Sequence, residues 1–148
     1  MKNNCKYDIY FAAPFFCQGE KELNLKLLTQ IENLGYKVFY PPRDGLVAKE
    51  KITSTSSWDF ISNKTWVCDT KAIINSKLIF AVLDGRSIDE GVCVEIGFAA
   101  AYQKTIIGYS TDDRTQFPWG HNPMVLAPIA KLINSTKMLI NTMAELVD

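Results

Sequence analysis

The chain has 148 residues, room for one compact domain spanning residues 1–148, and 47% of them are hydrophobic against 22% charged. Sixteen basic and sixteen acidic side chains cancel, which removes the general electrostatic motive for binding nucleic acid or an anionic membrane, and no basic run or acidic tail restores it. No apolar stretch approaches the roughly eighteen residues of a membrane span, and residues 1–6 lead straight into a strand-like run without the apolar centre of a signal peptide, so a cytoplasmic protein is expected.

In chain order, residues 7–13 form a short apolar run stopped by Pro14, which predicts a buried strand. Leu23, Leu27, Leu28, Ile31 and Leu34 recur at helical spacing, giving a helix over 20–33 with Gly35 as its stop. Residues 37–40 predict a second strand, ended by Pro41-Pro42, and residues 43–57 a polar loop containing Arg43-Asp44-Gly45, long enough for a small domain to be either mobile or functional. A helix is expected over 58–75, an apolar strand over 78–83, a helix over 91–102 and a strand over 105–109. Residues 122–133 read as a helix with Pro123 in its first turn, and 138–140 as a last short strand before a helical tail.

Strands alternate with helices, and the strands are apolar throughout instead of alternating with polar residues. That is the pattern of a parallel sheet covered on both faces. The predicted fold is a single doubly wound α/β domain, flavodoxin- or Rossmann-like, with about five mostly parallel strands and helices on both faces. Ligands of such sheets lie beyond the carboxyl ends of the strands, where aromatic residues, carboxylates and arginines converge here. The first turn reads Ala12-Ala13-Pro14-Phe15-Phe16, with no Gly-x-Gly-x-x-Gly; this disfavours a dinucleotide and suits a flat, uncharged ligand. Cys5, Cys17, Cys68 and Cys93 form no Cys-x-x-Cys pair and are read as reduced thiols. The one histidine, His121, has no second ligand at a metal-binding spacing, so neither metal nor cofactor is expected.

The most informative stretch is Asp89-Glu90-Gly91-Val92-Cys93-Val94-Glu95-Ile96-Gly97 and the alanines that follow. Asp89 suits an N-cap, and Gly97 with residues 99–101 suits close helix–sheet packing. The helix is apolar nearly all round, so burial against the sheet is expected, and Glu95 is the lone charge within it. A buried carboxylate needs a partner or a purpose. An ordinary ion pair with Arg86 or Arg114 is one reading. The other is functional: helical side chains lean toward the N-terminus, which sets Glu95 over Gly91, where no side chain fills the space. On that reading the positive end of the helix keeps Glu95 ionised.

Taken in order, these segments resemble the nucleoside 2-deoxyribosyltransferase family over nearly the whole chain. The matching pieces are Ile9-Tyr10-Phe11-Ala12-Ala13-Pro14-Phe15-Phe16, Tyr40-Pro41-Pro42-Arg43-Asp44-Gly45, Asp69, Leu83-Asp84-Gly85-Arg86, Asp89-Glu90-Gly91 with Glu95-Ile96-Gly97, and Asn122-Pro123-Met124. The resemblance implies transfer of 2-deoxyribose between nucleobases, with Glu95 as nucleophile at the anomeric carbon and Tyr10 orienting it. Asp69 would give a proton to the leaving base, Asp89 would bind the sugar and Phe16 would stack on the base, with Arg43, Asp44 and Gly45 nearby. The Arg43-Asp44-Gly45 turn departs from other members in its polar residues, which bears on base preference. Asn122 and Met124 correspond to residues supplied by an adjacent subunit, so a homo-oligomer is implied, with a deoxynucleoside and a free base as substrates.

The chemistry is coherent. Loss of the base leaves an oxocarbenium-like sugar that a carboxylate captures as an ester, and a second base then restores the configuration. The leaving base needs a proton, and clustered acids that cannot all ionise favour keeping one. Two alternatives stay open: a nucleoside or nucleoside 5′-monophosphate N-glycosidase, for which Arg86 and Ser87 speak, and a non-catalytic nucleotide sensor. A Ser-His-Asp hydrolase has no nucleophile elbow to support it.

Overall fold

Strand β1 (Tyr7–Ala12) occupies an inner position of a five-stranded sheet in the order β2-β1-β3-β4-β5, every neighbouring pair parallel. The computed structural model describes residues 5–46, 57–114, 117 and 120–146. The other strands are β2 (Val38–Phe39), β3 (Ser76–Val82), β4 (Thr105–Tyr109) and β5 (Lys131–Ile133). Among the described residues the helices are α1 (Gln18–Asn33), α2 (Pro41–Asp44), α3 (Trp58–Ile74), α4 (Glu90–Ala101), α5 (Pro123–Leu126) and α6 (Thr136–Glu145).

The pleat of β1 divides the core in two. Ile9 and Phe11 point to a layer closed by Leu27, Leu28 and Ile31 of α1 and by Leu139 and Met143 of α6. Tyr10 and Ala12 point to the opposite layer, closed by Ala72 and Ile73 of α3 and by Val92, Ile96 and Ala99 of α4. Strands covered on both faces have no reason to alternate with polar residues, which accounts for the continuous apolar runs in the sequence. No described helix is long and apolar enough to cross a membrane.

Three elements differ from expectation. The helix predicted over 122–133 is the single turn α5, followed by strand β5. Pro128 has no amide hydrogen to extend the helical ladder; beyond it the chain pairs with the open edge of β4, Gly108 beside Leu132 and Tyr109 beside Ile133. The strand predicted over 138–140 is part of α6, whose N-cap Ser135 accepts a hydrogen bond from the Met138 amide at 3.3 Å. Its buried Leu139 and Met143 are four apart, on one helical face.

The loop expected over 43–57 begins as helix instead: Asp44 accepts the Tyr40 amide at 2.9 Å, and the prolines preset the first turn. A Cβ on Gly45 would sit 2.5 Å from the Pro41 carbonyl oxygen, so this close return of the chain admits only glycine. Residues 47–56 of that expected loop lie outside the described residues.

Candidate active site

The site is organised by the first half of α4. Asp89 caps it, its Oδ1 accepting from the Val92 amide at 3.0 Å. Val92, Ile96 and Ala99, at helical spacing, are buried against the sheet. The remainder of the helix is less covered than its composition suggests. Val94 is 54% exposed, and a Cβ built on the exposed Gly97 would meet nothing within 4 Å. Of the small residues expected to pack on the sheet, Ala99 does so fully, while Gly97 and Ala101 are exposed. A helix on one side of a sheet has a single layer to bury against, and the opposite flank of α4 faces α3 across a cavity instead.

That cavity, about 420 Å³, is walled by Trp58, Trp66 and Asp69 of α3 and by Gly91, Glu95 and Phe98 of α4. Its volume falls in the ordinary range for small-molecule sites. Trp66 and Phe98 meet edge to face across it, centroids 5.7 Å apart. Tyr10 rises from β1, fully buried and stacked on Phe39 (5.5 Å, 13°), and donates a hydrogen bond of 2.5 Å to Glu95 Oε1. The partner of Glu95 is therefore a phenol, not the guanidinium of an ion pair; Arg114 pairs with Asp112 at 2.5 Å. Gly91 lines the cavity beside Glu95, and a Cβ there would stand 3.0 Å from Asp89 Oδ1.

Electrostatics reverse one expectation. Burial pushes the Glu95 carboxyl up to about 8; the Tyr10 hydrogen bond opposes this, and the charges of Asp69 and Asp89 add to it. Burial and neighbouring acids thus outweigh any help from the helix dipole, and near neutral pH Glu95 holds its proton. Asp69 is raised to about 6 by burial alone, so it is more than a solvated acid. Tyr10 is driven well above the ordinary phenol range by burial and by the charges of Glu95 and Asp69, which keeps it a hydrogen-bond donor.

The structure thus unites Tyr10, Asp69, Gly91 and Glu95, and puts Asp89 within electrostatic reach. Other sequence-predicted residues lie outside the cavity's described lining. Phe16 is 72% exposed and stacked on Phe15, centroids 5.1 Å apart, in the turn after β1. Helix α1 grips that turn: Glu20 accepts from the Phe16 and Cys17 amides at 2.7 and 3.0 Å, and buried Asn24 donates to the Pro14 carbonyl at 2.7 Å. Arg43 bridges Glu32 and Asp44 and donates to the Val38 carbonyl, holding the end of β2. Asn122 caps α5, accepting from the Met124 amide at 2.9 Å, while Met124 is 84% exposed.

At the carboxyl edge, Asp84 accepts from the Thr111 amide, from Thr111 Oγ1 at 2.6 Å and from the Asp112 amide at 3.0 Å, tying two strand ends together. His121, the one histidine, is buried with its Nε2 3.3 Å from Ser110 Oγ. Among the described residues no group of three or more His, Cys, Asp or Glu side chains is disposed to hold a metal. Residues that sequence reading passed over are the rest of the α3 wall around Asp69: Trp58, Ser62, Thr65, Trp66 and Ile73. Their spacing places them on one helical face, an aromatic and hydroxyl stripe around Asp69 that was legible in principle.

Fold and site together define an α/β protein of the doubly wound class in which a tyrosine-bound carboxyl group faces a helix-walled cavity. The chain belongs to the nucleoside 2-deoxyribosyltransferase family, whose model matches residues 9–143. A curated nucleoside deoxyribosyltransferase from Limosilactobacillus fermentum is 31% identical over 104 residues, which are 67% of this chain and 62% of that protein. The solved 2-deoxyribosyltransferase of Bacillus psychrosaccharolyticus has the same fold, with a TM-score of 0.74 at 20% identity over 90% of each chain. A CMP N-glycosidase from Clostridium botulinum shares it more loosely, with a TM-score of 0.57 at 19% identity over 94% of this chain and 98% of that one.

Proposed function

We propose that this protein transfers 2-deoxyribose between nucleobases by double displacement through a sugar ester on Glu95. The observation that carries the reading is the Tyr10–Glu95 hydrogen bond at the wall of a cavity that also holds Asp69. Glu95 Oε attacks the anomeric carbon as the glycosidic bond breaks, and Asp69 gives the departing base its proton. A second base then attacks the ester, Asp69 takes up the proton that base loses, and two inversions retain the configuration.

With Glu95 at about 8 and Asp69 at about 6, the two acids share one proton between those pH values. The reactive arrangement, proton on Asp69 and charge on Glu95, is the less populated of the two one-proton forms. Positive charge developing on the sugar stabilises the Glu95 carboxylate, so the scarce arrangement is the one the transition state selects.

Asp89 uses one oxygen as the helix cap, and its second is assigned to a sugar hydroxyl. Phe16 stacks on the base, with the turn at Arg43, Asp44 and Gly45 alongside. Exposed Asn122 and Met124 complete the site of a neighbouring copy in a homo-oligomer, and the setting is cytoplasmic.

The test is intact-mass analysis after incubation with a 2′-fluoro-2′-deoxynucleoside, paired with a base-exchange assay. A sugar adduct on the wild type, absent from Glu95→Ala, together with the exchanged nucleoside, is the expected result. An unmodified wild type and no exchange would refute the proposal. Hydrolysis without an acceptor is the second reading, favoured by the fold shared with an N-glycosidase. It predicts free deoxyribose, or its 5-phosphate from dCMP, at a rate unaffected by added base.

A further inference from the structure

The described lining of the cavity carries three carboxyl groups (Asp69, Glu90 and Glu95), and no lysine, arginine or histidine. Its aromatic walls are two indoles, Trp58 and Trp66, and the ring of Phe98. Trp58 is 78% exposed and Trp66 52%, so both offer free π-surface to a ligand. Glu90, in the first turn of α4, is exposed at the mouth. Indole faces attract cations through the ring quadrupole, and carboxylates at close range strengthen the effect. A neutral nucleobase exploits the flat walls but not the acids beyond the reacting pair.

We propose that the cavity takes N-glycosides whose base carries a fixed positive charge, such as N7-alkylated purinium deoxynucleosides, and that Glu95 displaces these bases without proton donation by Asp69. The inference rests on the reading of Glu95 as nucleophile. In the step, the C1′–N bond breaks with its electron pair going to the ring nitrogen, which neutralises the base. The C1′–O bond to Glu95 forms as the carboxylate gives up its negative charge to the ester. The proton that Glu95 holds at rest passes to Asp69 or solvent as the cation binds; in the displacement itself none moves to the base, because the charge already on the base does what protonation by Asp69 does for a neutral one. The free base that later accepts the sugar loses its N–H proton to Asp69 or solvent, and the Glu95 carboxylate returns.

The two proton requirements separate experimentally. Single-turnover release of base from 2′-deoxyguanosine and from 7-methyl-2′-deoxyguanosine, each corrected for enzyme-free release, is measured for the full chain and its Asp69→Asn, Glu90→Gln and Glu95→Ala variants. Wild type is expected to bind the methylated substrate about tenfold more tightly, a ratio within reach of a desolvated cation–π contact. Asp69→Asn is expected to lose about a hundredfold on 2′-deoxyguanosine, the range of general acid catalysis, and only a few-fold on the cation. Glu90→Gln is expected to weaken binding of the cation more than that of the neutral nucleoside. Equal affinity for both substrates, or equal losses in Asp69→Asn, would overturn the proposal. Base release that survives in Glu95→Ala would instead remove the nucleophile assignment on which it stands.

Discussion

Replacing Glu95 by glutamine should make the protein more stable, increasingly so as the solution becomes alkaline. The folded protein holds the Glu95 proton up to about 8, against an ordinary value of 4.5. As pH rises from 4.5 the unfolded chain releases that proton while the native state keeps it, so stability falls until the folded carboxyl also ionises near 8. The difference between those values corresponds to about 5 kcal/mol over the whole window, and about 3 kcal/mol of it has accrued by pH 7. Glutamine has the shape of the protonated acid, can still accept from the Tyr10 hydroxyl, and does not titrate. Urea unfolding of wild type and Glu95→Gln at pH 5 and pH 8.5 measures the effect as a difference of differences, in which other shared groups largely cancel. The variant's advantage should be several kcal/mol greater at the higher pH. Parallel stability profiles for the two proteins would refute the electrostatic account of this site.

Under the proposed mechanism, kcat/KM for base exchange should be bell-shaped, with limbs near 6 and 8 that belong to the Asp69–Glu95 pair; a flat profile from pH 5 to 9 would count against it. Tyr10→Phe removes the interaction that favours ionised Glu95, so the alkaline limb should move up and the plateau fall about ten- to a hundredfold, read from the same profile. Asn24→Ala frees the Pro14 carbonyl from its buried donor; a loss of about 1–3 kcal/mol in chemical unfolding is expected, with KM rising more than kcat falls if the turn presents Phe16 to the base. Met124→Ala, at a position 84% exposed, should leave monomer stability within about 0.5 kcal/mol, while exchange activity drops if a second copy's Met124 completes the site.

The layered fold was legible because burial leaves a direct mark on strands. Runs such as Ile9-Tyr10-Phe11-Ala12 admit water on neither face, and both faces are indeed covered. Elements decided by tertiary pairing were not legible. Residues 131–133 have no strand signature strong enough to outweigh the helical look of their neighbours, and become β5 because β4 offers a free edge there. Residues 138–140 look strand-like in isolation and join α6 because Leu139 and Met143 close the core against α1. Within the site, Glu95 stood out as a lone charge in an apolar helix, but its protonation did not. Counting charges in sequence cannot weigh desolvation against a helix dipole, and Asp69 is twenty-six positions away in the chain from the acid it perturbs. Apart from Asp69, the α3 wall escaped notice because a tryptophan in a sequence suggests core, whereas here Trp58 and Trp66 face a cavity.

The cavity's two walls have different mechanical lineages. Glu95 is fastened to the interior of the sheet through Tyr10 and through the buried stripe of α4, so its position is fixed by the same packing that makes the domain fold. The opposite wall hangs on the outward turns of α3, where of the seventeen residues only Ala72 and Ile73, near the end, are deeply buried. Substitutions along Trp58, Ser62, Thr65 and Trp66 can therefore reshape what the cavity admits at little expense to the core. Such a chain can change its clientele over evolutionary time while the Glu95 carboxyl group stays where it is.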